Sequence, residues 1–285
     1  MTERKRKQNT AISIIGSGRL GTTLAVALKR RGYSIQSLVA RRVQSARKAA
    51  RLLDADVQVL AAKELRSLTP ADVFLITVPD DQIATVAAEM ISIEFTATVF
   101  HTSGALSSDV LAPLKKEGWR TGSIHPLLSV SNPGDPIEGA FWSVEGDKSA
   151  VRLGKAIVRD LGGKSFFIRT EDKPLYHAAA VMSSGNVVAL FDVALQMMAE
   201  CGINRATARN ILLPLIASTV RSLETKDPVQ ALTGTFSRGD VETVKRHLAA
   251  LKNNPEALEL YRALGKRSLK LTKEHPQITQ MLDSV

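Results

Sequence analysis

The chain has 285 residues, 44% of them apolar, with a net charge of +10 and one cysteine. That suits a soluble globular protein of one large or two ordinary domains, and the single cysteine excludes an intramolecular disulfide, which fits the expectation of a reducing cytoplasm. No membrane span, secretory signal or metal site is expected. Nucleic-acid binding is not expected either: four cations sit in a tail, Arg4 to Lys7, read as a solvated arm, and aromatic residues are 5% of the chain with no stacking motif.

Ala11 to Ile15 is an apolar, strand-like run that ends in Gly16-Ser17-Gly18-Arg19-Leu20-Gly21, and a helical run follows to Leu28. In that context each glycine has a role. Gly16 allows the tight turn, Gly18 the close approach of a pyrophosphate, and Gly21 the packing of helix on strand. The helix N-terminus then offers free N–H groups to the phosphates.

A second strand, Tyr33 to Val39, leads to Arg41 and Arg42, with Ser45 one turn on. A site for NAD would place an acid about 20 residues past the glycines, to bond the ribose 2′-hydroxyl. None is present, and an arginine fork matches a phosphate, so the expected cofactor is NADP. A helix from Val43 and a short strand, Asp56 to Leu60, come next. Asp72 to Val78 reads as a strand buried on both faces. It stops at Pro79, and Asp80 opens a helix; Val78, Pro79 and Asp80 therefore line the cofactor crevice at the strand's carboxyl end.

A fifth strand, Thr96 to Phe100, ends at His101-Thr102-Ser103-Gly104, which puts Ser103 and Gly104 at the same crevice. A sixth, Thr121 to Ile124, ends at His125-Pro126. Two histidines thus fall at carboxyl ends of successive strands. Two further strands, near Phe141 and Phe166, flank a helix from Ser149 to Leu161. They complete an α/β domain over residues 10–170.

From Glu171 the chain reads as helical to its end, a second domain over 171–285. Asp172 and Pro174 open a long helix to Cys201, apolar nearly all round, as in a buried or subunit-interface helix. Its polar exceptions are His177, Ser183, Ser184, Asn186 and an unpartnered Asp192. Packing and catalysis are equally open for His177 and Asn186. Asn204, Asp227, Asp240 and Asn254 are placed to cap later helices. Thr233 to Asp240 is a polar loop before a helix; it offers a carboxylate site with Arg238, or capping chemistry with a structural salt bridge, the favoured reading, and Cys201 reads as a packing residue.

Taken together, GSGRLG, VPDDQI, HTSGALSSD, GSIHPLLSV, YHAAAVMSSGNVV and TGTFSRGDVETVKRHLAAL resemble one family. It comprises Rossmann-like proteins with a C-terminal helical domain of unknown function, relatives of pyrroline-5-carboxylate reductase, prephenate dehydrogenase and 6-phosphogluconate dehydrogenase. The resemblance runs from Ala11 to about Leu269. It implies a Rossmann-type, mostly parallel sheet domain followed by an all-α domain, an NADP-dependent oxidoreductase activity, and a homodimer formed through the helical domain. It supplies no substrate. The Lys-x-x-x-Asn pattern of hydroxyacid dehydrogenases is absent, and His177 or Ser183 stands near the place of their lysine.

The expectation is a reductase or dehydrogenase for a small anionic metabolite, with His125 and His177 as acid/base candidates and Ser183 and Asn186 orienting the substrate. A non-enzymatic NADP-binding sensor or scaffold, or a purely structural helical dimer, are the alternatives.

Overall fold

A computed structural model of the chain describes residues 10–54, 56–273 and 275–284. The basic tail at residues 1–9 lies outside the described residues. Contacts divide the chain into two compact units, Met1–Ser184 and Gly185–Val285.

The first unit is built on eight strands in the order β3-β2-β1-β4-β5-β6-β7-β8. They are β1 (Ala11–Ile15), β2 (Ser34–Ala40), β3 (Gln58–Ala61), β4 (Val73–Ile76), β5 (Thr98–His101), β6 (Arg120–Leu127), β7 (Phe141–Gly146) and β8 (Lys164–Phe166). All neighbours pair in parallel except β6 and β7. Strand order reverses between β1 and β4, so the carboxyl ends of these strands border the switch-point crevice where such sheets take ligands.

Alternation along the central strands sends side chains to two cores. Ile12, Ile14, Val73 and Leu75 face α1 (Arg19–Arg30), α2 (Val43–Ala50) and α5 (Lys148–Asp160). Ile15, Phe74 and Ile76 face α3 (Asp80–Met90) and α4 (Ala112–Lys116), where Phe74 meets Trp119 edge-on at 5.5 Å. Burial on both faces explains why β4 reads as an unbroken apolar run.

Two elements differ from the sequence expectation. The sixth strand continues through His125 and Pro126 to Leu127, so His125 lies within it. Beyond Ser123 β6 is paired only with β7. One side of the strand is then free of ladder bonds, and a proline is tolerated there. The long apolar helix is two helices, α6 (Lys173–Ser183) and α7 (Gly185–Glu200), broken at Ser184 with φ −131° and ψ −78°. Two serines and a glycine in succession are poor helix formers, and the break falls there. The α6 helix belongs to the sheet unit, past the expected boundary at 170/171.

The second unit holds α7, α8 (Arg205–Leu223), α9 (Pro228–Ala231), α10 (Thr235–Arg238), α11 (Val241–Ala250), α12 (Pro255–Leu269) and α13 (Pro276–Asp283). Asn204, Asp227, Asp240 and Asn254 each cap a helix, accepting from the N–H of Thr207, Val229, Thr243 and Ala257. Asp192 does have partners: its carboxylate takes Arg205 and, at 2.9 Å, Gln196. Cys201 is exposed rather than packed. Many apolar residues of this unit are exposed in the single chain, among them Val188 at 70% and Leu215 at 64%. The helical stretch Thr170–Glu200 has the length and apolar composition to cross a bilayer, but Ser184 interrupts its backbone.

Candidate active site

The glycine turn is held by backbone geometry. Gly16 has φ +114°, and both its N–H and that of Ser17 donate to the Val39 carbonyl at 2.9 Å. The Ser17 hydroxyl donates to the same oxygen at 3.0 Å. A Cβ on Gly21 would lie 2.1 Å from the Gly16 carbonyl oxygen, so α1 can seat against β1 only with glycine there. A Cβ on Gly18 would meet nothing within 4 Å, which leaves open space over the first turn of α1. That turn, with Arg19 and Leu20, contains no acidic residue, so its N–H groups are free to face an anion.

Past β2, Arg41 and Arg42 are exposed, and Arg42 is the N-cap residue of α2. Arg42 and Ser45 line a cavity of about 340 Å³ together with Gln44 and Lys48. Arg41 is not among its walls. Lys48 is the addition that the sequence reading missed; it sits two turns into a helix where charge normally means a solvated face. Two cations and no acid line the cavity, which fits a phosphate and disfavours a bare ribose diol.

On the other side of β1, the ends of β4 and β5 are tied together. The Ser103 hydroxyl donates to Asp80 Oδ2 at 2.7 Å and accepts from the N–H groups of Ala105 and Leu106. The Ser103 N–H donates to His101 Nδ1 at 3.1 Å. His101 Nε2 lies 3.1 Å from the Ser107 carbonyl and so carries the proton. The ring is fully buried and its pKa falls to about 3, chiefly by burial and then through Lys173. His101 is therefore a fixed, neutral brace for the loop. The Thr77 hydroxyl donates to the Gly16 carbonyl at 2.6 Å, Val78 lies beside Gly16, and Pro79 is exposed and precedes α3.

Gly104 is where the site converges. A Cβ there would fall 2.4 Å from His177 Nδ1, and 2.7 Å and 2.8 Å from His125 Cε1 and Nε2. The two imidazoles stand edge to face at 5.6 Å. His125 Nδ1 lies 2.8 Å from the hydroxyl of Tyr176, whose pKa is raised by burial, so the phenol stays neutral. Nε2 is the ring nitrogen that lies over Gly104. Its pKa falls to about 4, mainly through burial, then through His177 and Lys173. His177 Nδ1 is buried with no hydrogen-bond partner among the described residues.

Behind Gly104 lies a buried charge pair. Lys173 is 0% exposed; its Nζ donates to Ser123 Oγ at 2.6 Å and to the Ser103 carbonyl at 3.1 Å, and lies 3.5 Å from Glu145 Oε1. Glu145 accepts from the Ser108 N–H at 2.8 Å and the Ser108 hydroxyl at 2.7 Å. Burial lowers the lysine pKa while Glu145 opposes the shift. Tyr176 and Lys173 were missed in the sequence because their partners lie 50 to 70 residues away. A lysine four places before His177, at the start of an apolar helix, was the available signal.

Ser183 does not join this cluster. The Ser183 hydroxyl donates to its own helix, to the Ala179 carbonyl at 2.9 Å. Asn186 is exposed in the first turn of α7, which belongs to the second unit.

Comparison with known proteins agrees with this architecture. A model of a Rossmann-like domain matches residues 2–126, and a domain of unknown function, DUF2520, matches residues 140–268. A candidate NADP oxidoreductase from Bacteroides fragilis superposes with a TM-score of 0.78 at 23% identity, over 92% of this chain and 99% of that one. A Thermotoga maritima protein gives 0.72 at 25% identity, over 92% and 98%. A pyrroline-5-carboxylate reductase from Coxiella burnetii gives 0.59 at 18% identity, over 93% and 99%. No curated protein matches the sequence. Two family models thus cover most of the chain, a Rossmann-like domain and then DUF2520, and the solved structures share this fold.

Proposed function

We propose that the chain is an NADP-dependent oxidoreductase that exchanges a hydride between NADP(H) and a small, anionic metabolite. The observation that carries this reading is the meeting of His125 and His177 over Gly104, on the edge of the sheet that also bears the glycine turn. Gly18 and the first turn of α1 would hold the pyrophosphate of a dinucleotide, Arg42 and Ser45 its adenosine end, and Asp80, Ser103 and Gly104 would line its nicotinamide end. In the strand order 2-1-4-5-6 the cavity lined by Arg42 and Ser45 and the two histidines fall on opposite sides of β1, which supports this reading.

Bound NADPH supplies the hydride. In oxidation, neutral His125 takes the proton of the substrate heteroatom on Nε2 and becomes an imidazolium whose Nδ1–H donates to the Tyr176 hydroxyl; in reduction the imidazolium returns that proton to the substrate. The named Bacteroides fragilis relative supports the cofactor class. A screen of carbonyl and imine metabolites with purified protein, followed by NADPH absorbance, tests the reading. Turnover abolished by His125→Asn is the expected result; NADPH that binds but is never consumed would favour a sensor.

Arg42→Glu is expected to weaken NADPH binding by roughly 10- to 100-fold, the worth of a charge-assisted contact of about 1.5–3 kcal/mol, and to leave NADH nearly unaffected. Fluorescence titration with both cofactors reads this. Equal losses for the two would remove Arg42 from the 2′-phosphate.

The exposed apolar residues of α7 and α8 support a homodimer formed through the helical domain, since patches of that kind mark association surfaces. Sedimentation should give a dimer at micromolar concentration, and Leu215→Glu a folded monomer. A monomeric wild-type chain, or one that partitions onto lipid vesicles, would contradict the dimer.

A further inference from the structure

We infer that Lys173 is a positioning residue for the crevice: its buried ammonium holds the Ser103–Gly104 backbone against the helical turn that carries Tyr176 and His177. This rests on the reading of His125, with His177 packed beside it, as the proton-handling group of the crevice.

Lys173 has three N–H groups and three acceptors: the Ser103 carbonyl, Ser123 Oγ and Glu145. None is left for a ligand, so the lysine acts through what it holds. Its reach is unusual. It joins the loop after β5, the middle of β6 and the end of β7 to the first turn of α6. Through Glu145 it also fixes the Ser108 backbone.

Lys173 and His177 are four residues apart and share a helix face. Ser103 and Gly104 are adjacent. Lys173 binds the first of these and His177 packs over the second, so two points on one turn grip two successive residues. This fixes both the height and the rotation of α6 above the loop. An apolar side chain would fill the volume but grip nothing. Burying a lysine and a glutamate is costly, and replacing such a pair by neutral groups is often no loss to stability. The pair is therefore better explained by the placement it enforces than by stability.

Lys173→Met alone leaves Glu145 buried without its counter-charge and is a poor test. Lys173→Met/Glu145→Gln removes both charges, and Ser123→Ala removes one acceptor while keeping the pair. The measurement is the imidazole ¹⁵N and ¹H resonances of His125 and His177, with NADPH affinity read separately. Both variants are expected to shift these resonances, the double variant more. The His125 titration midpoint should rise in the double variant as its packing loosens. NADPH affinity should stay within about threefold, and turnover should fall about tenfold or more, through kcat rather than KM. If Ser123→Ala and any folded double variant leave both histidines unshifted, Lys173 is merely structural. Should the wild-type chain bind no NADPH, the oxidoreductase reading falls, and the histidine resonances still decide the role of Lys173.

Discussion

Acidification from pH 7 to pH 4 is expected to remove about 6 kcal/mol of folding free energy through two histidines. His101 and His125 are held neutral, with pKa values near 3 and 4 against an ordinary 6.5. The unfolded chain therefore binds protons that the folded chain refuses. A depressed folded pKa gives stability that is intact above 6.5 and is lost as pH falls toward the folded values. Each pKa unit is worth 1.36 kcal/mol, so each histidine contributes roughly 3 kcal/mol by pH 4. That is comparable to the whole stability of many domains, about 5–15 kcal/mol. Urea unfolding at pH 7, 5.5 and 4 should show a slope of about two protons per molecule between pH 6 and 4. His101→Gln should roughly halve the slope. A stability that is flat down to pH 4.5 would mean that these rings are not buried neutral.

Gly104→Ala is expected to cut turnover by about 100-fold with NADPH affinity little changed. The added methyl would sit 2.4 Å from His177 and under 3 Å from His125, so both rings must move. The backbone at 104 is not in the left-handed region, and the effect is steric rather than conformational. Displacement of reacting groups by about 1 Å costs on the order of 10²-fold in rate, while overpacking costs about 1–3 kcal/mol of stability. Steady-state rates on the substrate that the metabolite screen identifies, beside a thermal unfolding curve, separate the two losses. Wild-type turnover in a folded Gly104→Ala protein would place the chemistry elsewhere.

Much of the fold was legible because its signals are local. The glycine turn follows a strand and opens a helix. The apolar run of β4 announces a doubly covered strand, and the four helix caps are read from single Asn and Asp residues before apolar runs. The crevice residues after β4 and β5 were reachable by the rule that ligands lie at strand carboxyl ends. His101 and His125 looked equivalent on that rule. They differ because His101 is closed in by Ser103 and Ser107, while His125 meets Tyr176 from a helix 51 residues away. The extension of β6 past Pro126 depends on which neighbour strand stops first, and the Lys173–Glu145 pair depends on tertiary packing. Neither is written in any local pattern. The break at Ser184 was locally signalled by Ser183-Ser184-Gly185 but was outweighed by the apolar composition around it.

A crystal structure grown with NADPH tests the central claim most directly. The cofactor should lie along the carboxyl edge of the sheet, with its 2′-phosphate on Arg42 and Ser45 and its pyrophosphate over Gly18. Its nicotinamide ring should lie beside Gly104, facing His125 Nε2. A cofactor whose nicotinamide lies away from Gly104, or whose 2′-phosphate makes no contact with Arg42, would contradict the account.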